Sequence, residues 1–213
     1  MKHLHRTVVC SALIALLTLT ALPAVTPAAP ARAAVSALDF QNAMRKLWED
    51  HITWTRLAIV AILDDRPEKD AAVQRLLQNQ VAIGDAIKPY YGDAAGTQLA
   101  TLLHDHITGA AAVLVAAKSG DQAQVQAASD AWYANGNDIG DFLHSANPRE
   151  WPRADMRAMM KEHLDLTLKE AQDRLAGNYA ADVRDYDAVH RSILEMADML
   201  SSGIMAQFPG RFR

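Results

Sequence analysis

The chain has 213 residues, half of them apolar, only 6% aromatic, and a formal net charge of −4. That length suffices for one well-buried domain, and an acidic balance without a basic cluster argues against a nucleic-acid surface. Abundant alanine and short β-branched runs favour helix over sheet.

Residues 1–33 read as a cleaved Sec-type signal peptide. Lys2 and Arg6 give a basic start, Val8 to Leu22 an apolar run, and Ala31-Arg32-Ala33 an A-x-A cleavage pattern. An uncleaved membrane anchor is the weaker alternative, because Pro23, Pro27 and Pro30 break the run. Val9 before Cys10 is not the small residue that a lipoprotein signal needs. Cleavage removes Lys2, Arg6, Arg32 and the single cysteine, leaving 18 basic against 25 acidic residues, a net of −7. The expected product is thiol-free, without disulfides, and periplasmic or secreted. No second apolar stretch reads as long enough to cross a membrane.

The remaining segment, 34–213, reads as an all-α domain, a single antiparallel bundle of about six helices. The first, from about Leu38 to Leu63, carries Met44, Trp48, His51, Thr55, Ala58 and Ile62 at three- and four-residue steps. Asp65 is expected to cap the second helix, with Pro67 in its first turn. That helix carries Leu77, Gln80, Ile83 and Ile87 and stops around Pro89 to Gly92. The third, from about Ala94 to Lys118, shows Leu99, Leu102, His106, Ala110 and Val113 on one stripe, and Gly120 turns the chain. The fourth runs from about Gln122 to Ser145 with Trp132, Asn135, Ile139 and Phe142 inward. The fifth, about Arg153 to Leu175, shows Met156, Met160, His163 and Thr167. After Gly177 the last helix, about Ala180 to Ala206, lines up Tyr186, His190, Ile193, Ala197 and Leu200. The tail Phe208 to Arg213 is expected to fray.

These six segments read as three repeated hairpins, about 38–91, 94–145 and 153–206. Asp50-His51-Ile52-Thr53 recurs as Asp105-His106-Ile107-Thr108, with Glu162-His163-Leu164-Asp165 as a third copy. A second marker follows each: Ile83-Gly84-Asp85, Ile139-Gly140-Asp141 and Met196-Ala197-Asp198. The second and third hairpins align without a gap at an offset of 57, Gly120 on Gly177.

Counting from the turns puts His51, His106, His163 and His190 at one height, with Asn79 and Gln80 opposite His51 and with Tyr133 and Asn135 opposite His106. Neutral imidazoles from separate helices suit a transition-metal ion such as zinc, copper or iron. These four histidines are the candidate ligands of a metal ion or small ligand. Asp50, Asp105 and Glu162 point about 100° away, as ligands, acceptors that orient the rings, or surface acids. The alternative is a buried His/Asn layer that only specifies packing, in a non-catalytic structural or interaction module of the cell envelope. A ferritin-like dimetal site is a poor fit, since no Glu-x-x-His exists. His104 is expected at the surface. The late methionines (Met156, Met159, Met160, Met196, Met199 and Met205) read as core filler before copper ligands. Asp85, Asp141 and Asp198 are expected to form ion pairs, with Arg45 or Lys46 and Arg157 as basic partners. No nucleophile motif, phosphate loop or His-Glu-x-x-His is present, so the weight falls on binding over catalysis.

Overall fold

Alanine-rich stretches with apolar residues every third or fourth position form six α-helices in the computed structural model, which describes residues 34–213. They are α1 (Ala37–Leu63), α2 (Lys69–Tyr91), α3 (Asp93–Ser119), α4 (Gln122–Ala146), α5 (Arg153–Leu175) and α6 (Tyr179–Gln207). No strand occurs among the described residues. The proposed signal peptide lies outside them.

Short polar connections enforce an up-and-down order, and two side chains set helix starts directly. Ser36 Oγ accepts from the Asp39 amide at 3.3 Å, and Asp121 accepts from the amides of Ala123 and Gln124. Each helix packs on its chain neighbours, and α6 closes back on α1. The seams between hairpins are as extensive as those within them, so the bundle is a closed ring. α1 also touches α3 and α5 across the middle. The histidine-bearing helices thus lean toward the axis.

The three intra-hairpin turns share one backbone device. Asp65, Gly120 and Gly177 all adopt left-handed φ values, 52°, 76° and 74°. Each stands 14 residues after its histidine (His51, His106, His163). The first turn, which lacks a glycine, uses Asp65, one of the few side chains tolerated there. Asp65 therefore ends α1 and does not cap α2, contrary to the sequence expectation. The Arg66 amide returns to Ala61 O at 2.9 Å, and Lys118 Nζ holds the Asp65 carboxylate at 2.5 Å.

The recurring Ile-Gly-Asp marker is a joint between hairpins. Ile83, Ile139 and Met196 enter the core. Gly84 lies against Gly96 and Ala100 of α3, where an added Cβ would meet the Ala100 Cβ at 2.8 Å. Gly140 lies less tightly on Met156 and Arg157 of α5, where an added Cβ would meet the Arg157 amide nitrogen at 3.1 Å. The acids then reach the next hairpin: Asp141 accepts from Arg157 Nε at 2.8 Å, and Asp198 pairs bidentately with Arg45. Both carboxyls are held below the usual range by these guanidinium hydrogen bonds. Arg45 and Arg157 stand six residues before their histidines, where α3 has Ala100. Asp85 accordingly pairs within its own helix, with Lys88 at 2.6 Å.

Two sequence expectations are corrected here. The tail does not fray: the Val35 and Arg213 amides bond to Arg211 O and Val35 O, both at 3.0 Å. Phe212 stacks on Tyr90 at 5.4 Å and packs against Phe40 at 5.0 Å, burying aromatic surface that pins the end. And α3 does pass the length and apolarity test for a membrane span, with a mean hydropathy of 1.4 over 18 residues. Its alanines and leucines, taken as ordinary helix material, supply that hydropathy. In this fold it is packed in the ring.

Candidate metal centre

Mid-way along the ring the apolar core is interrupted by three imidazoles. His51, His106 and His163 come from α1, α3 and α5 and are 2%, 3% and 4% exposed. Their ring centroids form a triangle with sides of 5.7 Å (His51–His163), 6.0 Å (His106–His163) and 6.5 Å (His51–His106). Trp48 meets the His51 ring edge-on at 5.8 Å, and Trp132 stacks on His106 at 5.4 Å. Apolar residues precede and follow the histidines along their helices. Trp48, Leu103 and Met160, each three residues before its histidine, are buried, as are Ala58, Ile59 and Leu114 about two turns after theirs.

Burial keeps all three rings neutral. Desolvation lowers His106 to about 4 and His163 to about 3, with the His106 charge adding to the latter effect. His51 is pushed well below its ordinary value, first by desolvation and then by repulsion from His163 and His106. No proton has to leave an imidazolium before a cation binds at neutral pH.

Each of the first two histidines is oriented by an amide on the partner helix of its hairpin. Gln80 Nε2 lies 3.3 Å from His51 Nδ1, and Asn135 Oδ1 lies 3.1 Å from His106 Nδ1. Asn79 and Asn135 also donate to the carbonyls of Leu47 and Leu102, each four residues before the histidine. In the third hairpin the position 57 beyond Asn135 is Ser192, which is too short to take this role. His163 Nδ1 is correspondingly buried without a protein partner. So are Gln80 Oε1 and the indole nitrogens of Trp48 and Trp132, all in residues of this level. Buried polar atoms without partners are rare, and these four lie at one level, while a fifth, Trp151 Nε1, lies away from it.

His190, expected as a fourth member, is not at the triangle. It sits on the outer side of α6, where Nε2 meets Glu49 Oε1 at 3.2 Å and the ring packs on Tyr186. Turn counting gave its height but not its face; the neighbouring Val189 is the inward residue, 2% exposed. Tyr133 likewise faces outward and donates to Asp165 at 2.6 Å, leaving Asn135 alone opposite His106. Asp50 pairs with Lys46, Asp105 with the exposed His104, and Glu162 is exposed. None of the three acids reaches the imidazoles. Met156, Met160 and Met196 are core residues, packed among apolar side chains.

Among the described residues, no three or more His, Cys, Asp or Glu groups are gathered tightly enough to hold an ion as they stand. The separation of the rings can be compared with that of a three-histidine site. Three Nε2 atoms about 2.1 Å from one ion put ring centroids about 5.5 Å apart. The centroid separations here, 5.7–6.5 Å, are up to about 1 Å longer.

A second polar cluster escaped sequence reasoning. Glu170, 1% exposed, stands two turns beyond His163, where the other hairpins have Ala58 and Val113. It accepts from Arg56 Nη1 at 2.9 Å, and Arg56 also pairs with the fully buried Asp182. Arg174 ties Asp182 to Asp64. Burial raises the Glu170 carboxyl to about 7 despite Arg56. The readable signal was an acid on the inner face of a helix whose repeats are apolar there.

Fold and site define a class: a six-helix ring of three pseudo-equivalent hairpins with one buried imidazole from each. Comparison with protein-family models, curated proteins and solved structures finds no match for this chain.

Proposed function

We propose that the protein binds one transition-metal ion, zinc, copper or iron, through His51, His106 and His163, and that it does so outside the cytoplasm after removal of residues 1–33. The observation that carries this reading is the convergence of three neutral, buried imidazoles from three different helices within 6.5 Å of one another. Imidazole is a preferred ligand for these ions, and three of them leave a further coordination position open. The amides behind His51 and His106 are the kind of second contact that orients metal-binding rings.

The test is metal content and its linkage to stability. Mature protein purified without an affinity tag is expected to take up one equivalent of zinc or cobalt(II) and to gain melting temperature. Cobalt(II) is expected to give the intense visible bands of a low-coordinate nitrogen site. His51→Gln, His106→Gln and His163→Gln should each remove the uptake, and His190→Gln should not. A wild-type protein that takes up no zinc, copper, iron or cobalt sinks the reading. The trio then stands as a polar layer that specifies packing in a structural or interaction module of the cell envelope.

A further inference from the structure

We propose that Gln80 decides whether the three imidazoles can act together, and that its side-chain amide turns over when an ion binds. This rests on the metal reading above. Gln80 is fully buried, and its Nε2 faces three acceptors: Leu76 O at 2.8 Å, Asn79 Oδ1 at 3.2 Å and His51 Nδ1 at 3.3 Å. Asn79 donates its own Nδ2 to Leu47 O at 3.0 Å, which fixes its Oδ1 as an acceptor. His51 Nδ1 therefore looks at N–H groups and takes the acceptor role. A neutral imidazole carries one hydrogen, so that of His51 sits on Nε2.

His106 has the opposite arrangement. Asn135 Nδ2 donates to Leu102 O at 3.1 Å, so its Oδ1 accepts from His106 Nδ1–H and leaves His106 Nε2 bare. A site made from three Nε2 lone pairs suits His106 as it stands and is blocked at His51. The remedy is in the same side chain. Gln80 Oε1 is buried without a partner. Rotating the amide by half a turn brings Oε1 to His51 Nδ1 and reproduces the Asn135–His106 contact. The contacts given up are to Leu76 O, a helix carbonyl that already accepts from the backbone, and to Asn79 Oδ1, and the turned Oε1 has to move off both oxygens as it meets the ring. One hydrogen leaves His51 Nε2 and one is taken up on Nδ1, so the exchange releases no net proton. The freed Nε2 lone pair of His51 would then be available to an ion.

The tautomers are read directly from long-range ¹H–¹⁵N spectra of the histidine rings in labelled mature protein at pH 7.5, with and without one equivalent of zinc. Without zinc, His51 is expected as the Nε2–H form and His106 as Nδ1–H. With zinc, His51 changes to Nδ1–H and His106 does not change. Gln80→Met, which takes away the N–H groups that face the ring, is expected to lose the fixed Nε2–H form of His51 before any metal is added and to bind zinc up to about tenfold tighter. An Nδ1–H form of His51 in the metal-free wild type overturns Gln80's control, whether or not metal binds. Zinc bound with His51 still in the Nε2–H form overturns the turnover alone. No zinc uptake overturns the parent reading and the turnover with it, while the metal-free spectrum still decides what Gln80 does to His51.

Discussion

Asn135 Oδ1 accepts from His106 Nδ1 at 3.1 Å, and the residue at the matching position of the third hairpin, Ser192, leaves His163 Nδ1 without a partner. His163 is thus the least supported of the three rings. Ser192→Asn is expected to restore the missing contact, since Ser192 is half-buried and matches Asn135 in the repeat. Contacts of this kind are worth about tenfold or more in metal affinity. A competition titration with a chromophoric zinc chelator should show the variant binding about tenfold tighter than wild type. Equal or weaker binding would show that the third amide is not wanted there.

Much of this architecture was legible because it is repeated. The spacing of His51, His106 and His163 gave the hairpins, the helix limits within a residue or two, and the amides opposite the first two rings. What failed was rotation about a helix. Turn counting fixes height through the 1.5 Å rise, but a change of one residue turns a side chain by about 100°. Val189 and His190 share a height, and the sequence reading chose the one that faces Glu49. The Arg56–Glu170–Asp182 cluster showed one sign only, the acid at Glu170 on an inner face, because its members come from α1, α5 and α6 and no local pattern joins them. The tail was misjudged because terminal position said less than Phe208 and Phe212 did.

The trio makes stability fall in acid. Its folded-state values lie below the ordinary histidine value, about 4 for His106 and about 3 for His163. The unfolded chain therefore takes up protons first, below about pH 6.5, and gains on the folded state. Stability from these rings is complete above about pH 6.5 and is lost progressively toward the folded values, by roughly 2 kcal/mol per ring between pH 6.5 and 5. Urea unfolding at pH 7, 6 and 5 measures this. A triple variant with His51, His106 and His163 changed to Gln should lose most of the acid slope. An unchanged slope would place the acid sensitivity elsewhere.

The hairpin joints differ in tolerance. At Gly84 an added methyl collides with the backbone oxygen of Gly96 and with Ala100, neither of which can rotate away. At Gly136 the nearest atom is a Leu164 methyl at 3.2 Å, the end of a side chain with other rotamers. Gly84→Ala should therefore cost on the order of 2 kcal/mol by opening the α2–α3 seam. Gly136→Ala should be near neutral, since helix propensity offsets slight crowding by about 1 kcal/mol. Chemical denaturation of the two variants side by side checks the contrast. Equal costs would mean that α2 and α3 separate easily.

Glu170 should act in the sense opposite to the histidines. Its folded-state value is raised to about 7, so the folded protein holds this proton more firmly than the unfolded chain. Its contribution is fully present below the unfolded value of about 4.5 and is lost as pH rises through about 7. The cause is burial, which outweighs the attraction of Arg56. Gln keeps the oxygen that Arg56 Nη1 contacts at 2.9 Å and removes the charge. Glu170→Gln is then expected to be close to wild type at pH 5 and more stable at pH 8, by about 2 kcal/mol. Unfolding free energies at the two pH values decide it. A variant less stable than wild type at pH 8 would mean that the ionised carboxylate is a net contributor to the Arg56–Asp182 cluster, and the opposing pH slope would have to come from another group.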